Sequence, residues 1–139
     1  MNDCPFCRIA SGELEASFVA EEELVVAFLD IRPINPGHTL VVPRAHAPLV
    51  HELDEPAAQA LWRLARRCDE AVRRSGVRCE GVNFFLADGE AAGQEVLHTH
   101  LHVVPRFSGD GFGLRLPPGY SIRPRSELDA TATKIRAAL

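Results

Sequence analysis

The chain has 139 residues, 46% apolar and 24% charged, the composition of one soluble globular domain spanning residues 1–139. A domain of this size buries roughly 70% of the surface its unfolded chain exposes, so it folds without a disulfide framework. A net charge of −4 excludes a broad nucleic-acid-binding surface, and no apolar run approaches the roughly 20 residues that would span a bilayer. The opening residues, Met1-Asn2-Asp3-Cys4, lack a basic segment followed by an apolar run, so no secretory signal is expected and a cytoplasmic location is the default. Thiols stay reduced there, which suits the four cysteines to metal binding, burial or catalysis rather than pairing.

The elements read as alternating strands and helices. Cys4 to Ser11 is a short helical or turn segment closed by Gly12. Leu24 to Asp30 is apolar and β-branched and predicts a strand. Two prolines, an asparagine and a glycine then predict a turn over 31–37. His38 to Pro43 is a second strand, antiparallel to the first across that turn. Glu55 to Ser75 is the clearest helix: Ala57, Leu61, Leu64, Cys68, Ala71 and Val72 recur at helical spacing. Asp54 is its expected N-cap, Pro56 stands just inside, and Gly76 stops it. Val82 to Ala87 reads as a third, central strand, and Val96 to Val104 as a fourth. Ser126 to Leu139 is a terminal helix with Ser126 and Asp129 spaced as a capping pair. Antiparallel strands with one long helix between the second and third imply an α+β sandwich.

Half of the six histidines fall in His98-Thr99-His100-Leu101-His102. On a strand, alternation at period two puts the three imidazoles on one face, about 6–7 Å apart, with Leu101 and Val103 on the other. Such a face is costly unless the rings have partners. Imidazoles in this pattern can ligate a metal together. Alternatively, a neutral ring can attack phosphorus while its neighbours hold phosphate oxygens. Cys4-Pro5-Phe6-Cys7 can be half of a tetrahedral zinc site or a redox pair. If it binds zinc, His46 and His98 are the best remaining ligands, and four protein ligands would make the ion structural.

The run Gln94-Glu95-Val96-Leu97-His98-Thr99-His100-Leu101-His102-Val103-Val104-Pro105-Arg106 resembles the signature of the histidine triad (HIT) family of nucleotide hydrolases and transferases. Cys4-Pro5-Phe6-Cys7-Arg8-Ile9, Phe28-Leu29-Asp30-Ile31, Asn35 to Pro43 and Gly109 to Gly113 resemble it too, most closely in its bacterial zinc-containing branch. The resemblance implies a mainly antiparallel five-stranded sheet with one long and one short C-terminal helix. It implies that His100 attacks the α-phosphorus of a purine nucleotide, a phosphoramidate or dinucleoside polyphosphate, and forms a nucleotidyl-histidine. His102 and His38 would hold the phosphate through charge or donors. Asp30 would take the ribose hydroxyls, and Phe28, Leu29 and Ile9 would form the base slot, with Gln94, Glu95 and Val96 bordering the nucleotide. Cys4, Cys7, His46 and His98 would bind structural zinc, and the chain would form a two-fold dimer. Two positions depart from the family pattern: Ala87 stands where an amide is common, and Glu95 where serine or threonine is. Glu95 could donate a proton to the leaving group if its pocket favoured the protonated form. Two rival readings are a catalytic zinc held by the three histidines and a nucleotide-binding module with little turnover.

Overall fold

In the computed structural model, which describes residues 3–139, strand parity sorts the side chains onto two faces of one sheet. The strands are β1 (Phe18–Glu21), β2 (Val25–Leu29), β3 (Thr39–Pro43), β4 (Gly81–Phe85) and β5 (Leu101–Arg106), in the spatial order β1-β2-β3-β5-β4. Every neighbouring pair is antiparallel. Val25, Ala27, Val41, Leu101 and Val103 point to one face and pack against α2 (Glu55–Arg74). Of the positions that helical spacing predicts, Ala57, Leu61, Leu64, Cys68 and Val72 are buried and Ala71 is exposed, while Ala60 and Ala65 widen the buried stripe beyond the prediction. Asp54 caps that helix by accepting the N–H of Ala57 at 2.9 Å.

Val26, Phe28, Leu40 and Val42 point to the opposite face, where Phe6 of α1 (Pro5–Ala10) covers them. His38, His100 and His102 share the parity of this second face. The apolar core therefore lies under α2, and the polar chemistry collects on the side where only a six-residue helix covers the sheet.

Three expectations need correction, and one strand, β1, had no counterpart among them. The fourth strand starts at Leu101, not Val96, because residues 98–100 take partners outside the sheet: the Thr99 N–H and hydroxyl both donate to the Ala47 carbonyl at 2.8 Å. The third predicted strand is β4, an edge strand rather than a central one. β1 has only four residues and a register irregularity, too little alternation to read from sequence. The Ser126/Asp129 capping pair does not form; α3 (Arg125–Ala137) begins after Pro124 with no side-chain cap.

The turn between β2 and β3 is held from below. The Asn35 amide donates to the Pro105 carbonyl at 2.9 Å and to Asp110 Oδ2 at 2.8 Å. Arg106 grips both Asp110 oxygens, at 2.6 and 2.8 Å. Gly37 has φ +92°, and a Cβ there would meet Val77 Cγ1 at 3.0 Å and Pro105 Cγ at 3.2 Å. This knot fixes where His38 enters the sheet.

Candidate active site and metal pocket

The three histidines of the triad run do not act as equals. His98 is fully buried and turns toward α1. Its Nδ1 lies 3.4 Å from Cys4 Sγ, 3.5 Å from Cys7 Sγ and 3.3 Å from His46 Nδ1. Cys7 Sγ lies 3.3 Å from His46 Nδ1. Zn–N bonds of about 2.0–2.1 Å and Zn–S bonds of about 2.3 Å give tetrahedral edges of roughly 3.3–3.8 Å, and these separations match that range. The four residues could hold a metal ion. The other ring nitrogen, Nε2–H, donates to the Pro43 carbonyl at 2.7 Å, which leaves Nδ1 bare toward the pocket.

The remaining rings form a second group. A neutral imidazole has one proton, and a backbone partner with a fixed role says where it sits. The Ile34 N–H donates to His38 Nδ1 at 3.0 Å, so His38 carries its proton on Nε2. That proton is donated to His102 Nδ1 at 2.9 Å, so His102 carries its own on Nε2. The His98 carbonyl can only accept, so His100, with Nδ1 2.7 Å away, carries its proton on Nδ1. His100 Nε2 is left with a free lone pair. The His100 and His102 ring centroids are 5.0 Å apart, closer than the ideal strand repeat, because His100 precedes the strand.

Burial lowers the pKa of His38, against the pull of Asp30. Burial, with His100 and His38 beside it, lowers that of His102 to about 4. Both rings are neutral at pH 7, so they act on an anion as hydrogen-bond groups and not as charges. Asp30 Oδ2 stands 3.6 Å from His38 Nε2, and its Oδ1 accepts the Arg32 N–H at 2.8 Å. Asp30, His38 and His102 could also be read as a ligand set. The proton that Ile34 imposes on His38 Nε2 makes the His38–His102 contact a hydrogen bond instead. The division of the rings also separates His98 from His100 and His102, against one catalytic ion held by all three.

The other candidate residues fall around this group. Phe28 is core, buried under Phe6 and Phe18. Ile9 and Val96 are partly buried beside it, and Leu29 is more exposed at the end of β2. The Gln94 amide is spent on backbone groups of two loops: Oε1 accepts from Gly89 N–H, and Nε2 donates to the Pro48 and Val96 carbonyls. Glu95 lies on the rim, ion-paired at 3.3 Å with Arg32, both side chains about four-fifths exposed. It has open solvent and a guanidinium, not the apolar pocket that a proton-donating carboxyl needs.

Sequence reasoning missed two aromatic walls. The Phe6 ring meets His100 edge-on at 5.0 Å, and the Phe85 ring stacks on His102 at 4.2 Å. Phe85 faces His102 only through the β4–β5 register, which no local pattern encodes. Phe6 had a signal, as the apolar residue of the Cys-Pro-Phe-Cys run on the buried side of a short helix.

An open sheet with a histidine triad leading into an interior strand, and a Cys/His pocket beside it, defines a histidine-triad class of domain. Residues 11–109 match the family described as the HIT domain, and the chain belongs to it. A HIT-family protein of Bacillus subtilis has a solved structure that superposes with a TM-score of 0.90 at 33% identity, covering 99% of this chain and 97% of that one. A zinc-bound histidine triad protein of Mycobacterium smegmatis superposes with a TM-score of 0.77 at 36% identity over 99% of each chain. An adenosine 5′-monophosphoramidase of Schizosaccharomyces pombe is 33% identical over 98% of each chain. No helix among the described residues is long and apolar enough to cross a membrane.

The pKa of His102 has a consequence for stability. The unfolded histidine takes its proton near 6.5, the folded one only near about 4. Between those values the unfolded chain binds more protons, so stability is complete above the window and falls as pH drops through it; His38 adds in the same direction. The urea midpoint should decline steadily from about pH 7 to about pH 4.5, and the His102 ring should titrate near 4 by NMR. A flat midpoint, or a His102 ring titrating near 6.5, would contradict the assignment.

Proposed function

We propose that this protein is a nucleotide hydrolase that cleaves the α-phosphorus bond of a nucleoside phosphoramidate or dinucleoside polyphosphate through a nucleotidyl-histidine. The observation that carries this reading is the His100 tautomer: Nδ1–H is held by a carbonyl, and Nε2 is bare and bordered by His102. Support for the phosphoramidate side comes from the S. pombe relative named for that activity.

His100 Nε2 attacks phosphorus. The N–P bond forms as the bond to the leaving group breaks, and a leaving amine takes up one proton from water. His102 offers its Nε2–H to a phosphoryl oxygen, where the transition state gathers negative charge. His38 orients His102 by donating to its Nδ1, and Asp30, at the end of β2, is suited to accept ribose hydroxyls. Ile9 and Val96, partly buried over the Phe28 core, line the apolar side for the base. Water then attacks phosphorus, the N–P bond breaks, and the nucleoside monophosphate leaves with His100 restored. Gln94 shapes the loop that carries Glu95 and Val96, while the Arg32–Glu95 pair spans the rim between that loop and the Asp30 turn. Zinc is the ion that the Cys4/Cys7/His46/His98 donor set suits, with all four positions filled by protein and none open for water. A turnover screen against adenosine phosphoramidates and diadenosine polyphosphates tests the reading. His100→Asn should lower turnover on the order of a thousandfold or more while nucleotide binding and melting temperature hold. Wild-type turnover in that variant, or binding with no turnover of any such substrate by the wild type, would overturn it.

We further propose that the working form is a homodimer. Residues 111–139 are all exposed, and α3, a 13-residue helix, buries no residue. A helix of this length is marginal alone in water. Leu114, Leu116, Tyr120, Ile122, Leu128, Ile135 and Leu139 all lie open, as do Trp62 and Phe84 beside the free edge of β4. Seven such side chains offer about the area that one partner contributes to a stable interface. A second copy, paired about a two-fold axis, would cover both sets. Light scattering should give twice the chain mass, and deletion of residues 113–139 should shift the protein toward monomer. A monomeric full-length chain at micromolar concentration would contradict this.

A further inference from the structure

Phe85 is a large apolar ring that core packing does not explain. It belongs to neither apolar cluster of the sheet and keeps 36% of its surface exposed. Phe6, the other aromatic wall, is 8% exposed and packs on Phe28, so the core accounts for it. Phe85 instead closes the edge strand β4 and stands directly opposite His102 in the ladder. The two rings stack with centroids 4.2 Å apart and planes 17° apart. Two residues back on the same face, Asn83 accepts from Arg106, which also grips Asp110. β4 is thus tied, beside Phe85, to the knot that places His38.

We propose that Phe85 is a positioning residue for the reaction at His100: its ring plane fixes the plane of His102 and so aims the His102 Nε2–H at one of the two non-bridging oxygens on phosphorus. This rests on the readings of His100 as nucleophile and of His102 as phosphate donor.

The other restraints on the His102 ring leave that plane loose. Its backbone lies in β5, and its Nδ1 accepts from His38 at 2.9 Å. A hydrogen bond tolerates roughly 30° of misalignment before it weakens steeply, so this one alone lets the ring tilt. The neighbouring imidazoles lean against it, His38 at 45° and His100 at 56°. Of the three adjoining rings, only Phe85 lies flat on it. Aromatic pairs favour offset, near-parallel stacking, and a tilt forfeits dispersion contacts over the whole face. A stack covers the face of a ring and not its edge, so Nε2–H stays open while its direction is set. His102 is neutral at pH 7 and acts through direction, not charge. Misdirecting a hydrogen bond to a charged phosphoryl oxygen corresponds to roughly a tenfold loss or more. Phe85 touches no reacting atom; it acts through His102.

The test uses the full-length protein with Phe85→Leu, which stays apolar but has no ring plane, and Phe85→Tyr, which keeps the plane. Four quantities are read. They are the NMR order parameter of the His102 ring C–H bonds, the single-turnover rate of adenylyl transfer to the enzyme, the dissociation constant for AMP, and the transfer-rate ratio between the Rp and Sp diastereomers of an adenosine phosphoramidothioate. Sulfur accepts hydrogen bonds weakly, so that ratio reports which position the N–H meets. In Phe85→Leu the order parameter should fall, and transfer should slow at least about tenfold with AMP binding held within about threefold. The diastereomer ratio should move at least about threefold toward one. Phe85→Tyr should restore all of these toward wild type. Phe85→Ile, suited to an edge strand, replaces Phe85→Leu if that variant does not fold. An unchanged diastereomer ratio or order parameter in the ring-less variant would overturn the proposal. So would an equal loss of AMP binding, a Phe85→Tyr protein as slow as Phe85→Leu, or failure of both ring-less variants to fold. If the wild type transfers no adenylyl group, the proposed activity fails, and the order parameter alone decides whether Phe85 holds the His102 ring.

Discussion

The 2.7 Å hydrogen bond from His100 Nδ1 to the His98 carbonyl organises the site on both sides. On one side it leaves His100 Nε2 bare. On the other it ties the reacting ring to a residue whose own ring is turned into the Cys4/Cys7/His46 pocket. A second bond of fixed polarity, from the Ile34 N–H, sets His38 and through it His102. Two backbone groups thereby assign the protons of three rings. For the nucleophile proposed at His100 this preparation is low in cost: it needs no buried charge, only peptide groups that the sheet and its turns already hold in place.

The neutrality of the site follows from the same burial. His102, between Phe85, His100 and His38, is poor at holding a proton. An anion that enters meets an N–H rather than an imidazolium. Arg32, whose backbone N–H donates to Asp30, has its guanidinium engaged by Glu95 on the rim. In the proposed reaction, recognition at the phosphorus relies on directed hydrogen bonds, which discriminate by geometry, more than on attraction over distance.

Much of this was legible in the sequence, and its limits are physical. Alternation showed that Leu101 and Val103 face away from the histidines, and helical spacing named most of the buried stripe of α2, without Ala60 and Ala65, and Asp54 as its cap. The Cys-x-x-Cys run and the two histidines chosen for it come together in space. What alternation could not show is that His98 and His100 precede the strand, because the groups that draw them out are the Pro43 and Ala47 carbonyls, distant in sequence. Nor could it give the Phe85–His102 stack, which depends on register between two strands. β1 is too short to carry a period, and the Ser126/Asp129 spacing suggested a cap where Pro124 begins the helix without one. Glu95 looked like a departure that could alter the chemistry, and its pairing with Arg32 puts it at the rim instead.

The central claim is that His100 itself becomes bonded to phosphorus. Rapid acid-free quenching of the wild-type protein with an adenosine phosphoramidate, followed by proteolysis and mass spectrometry, tests it directly. The account predicts an adenylyl mass on the peptide containing His100, with fragmentation assigning it to that ring. An adduct on His38 or His102, or multiple turnovers with oxygen-18 from water entering AMP and no adduct at any time point, would contradict it.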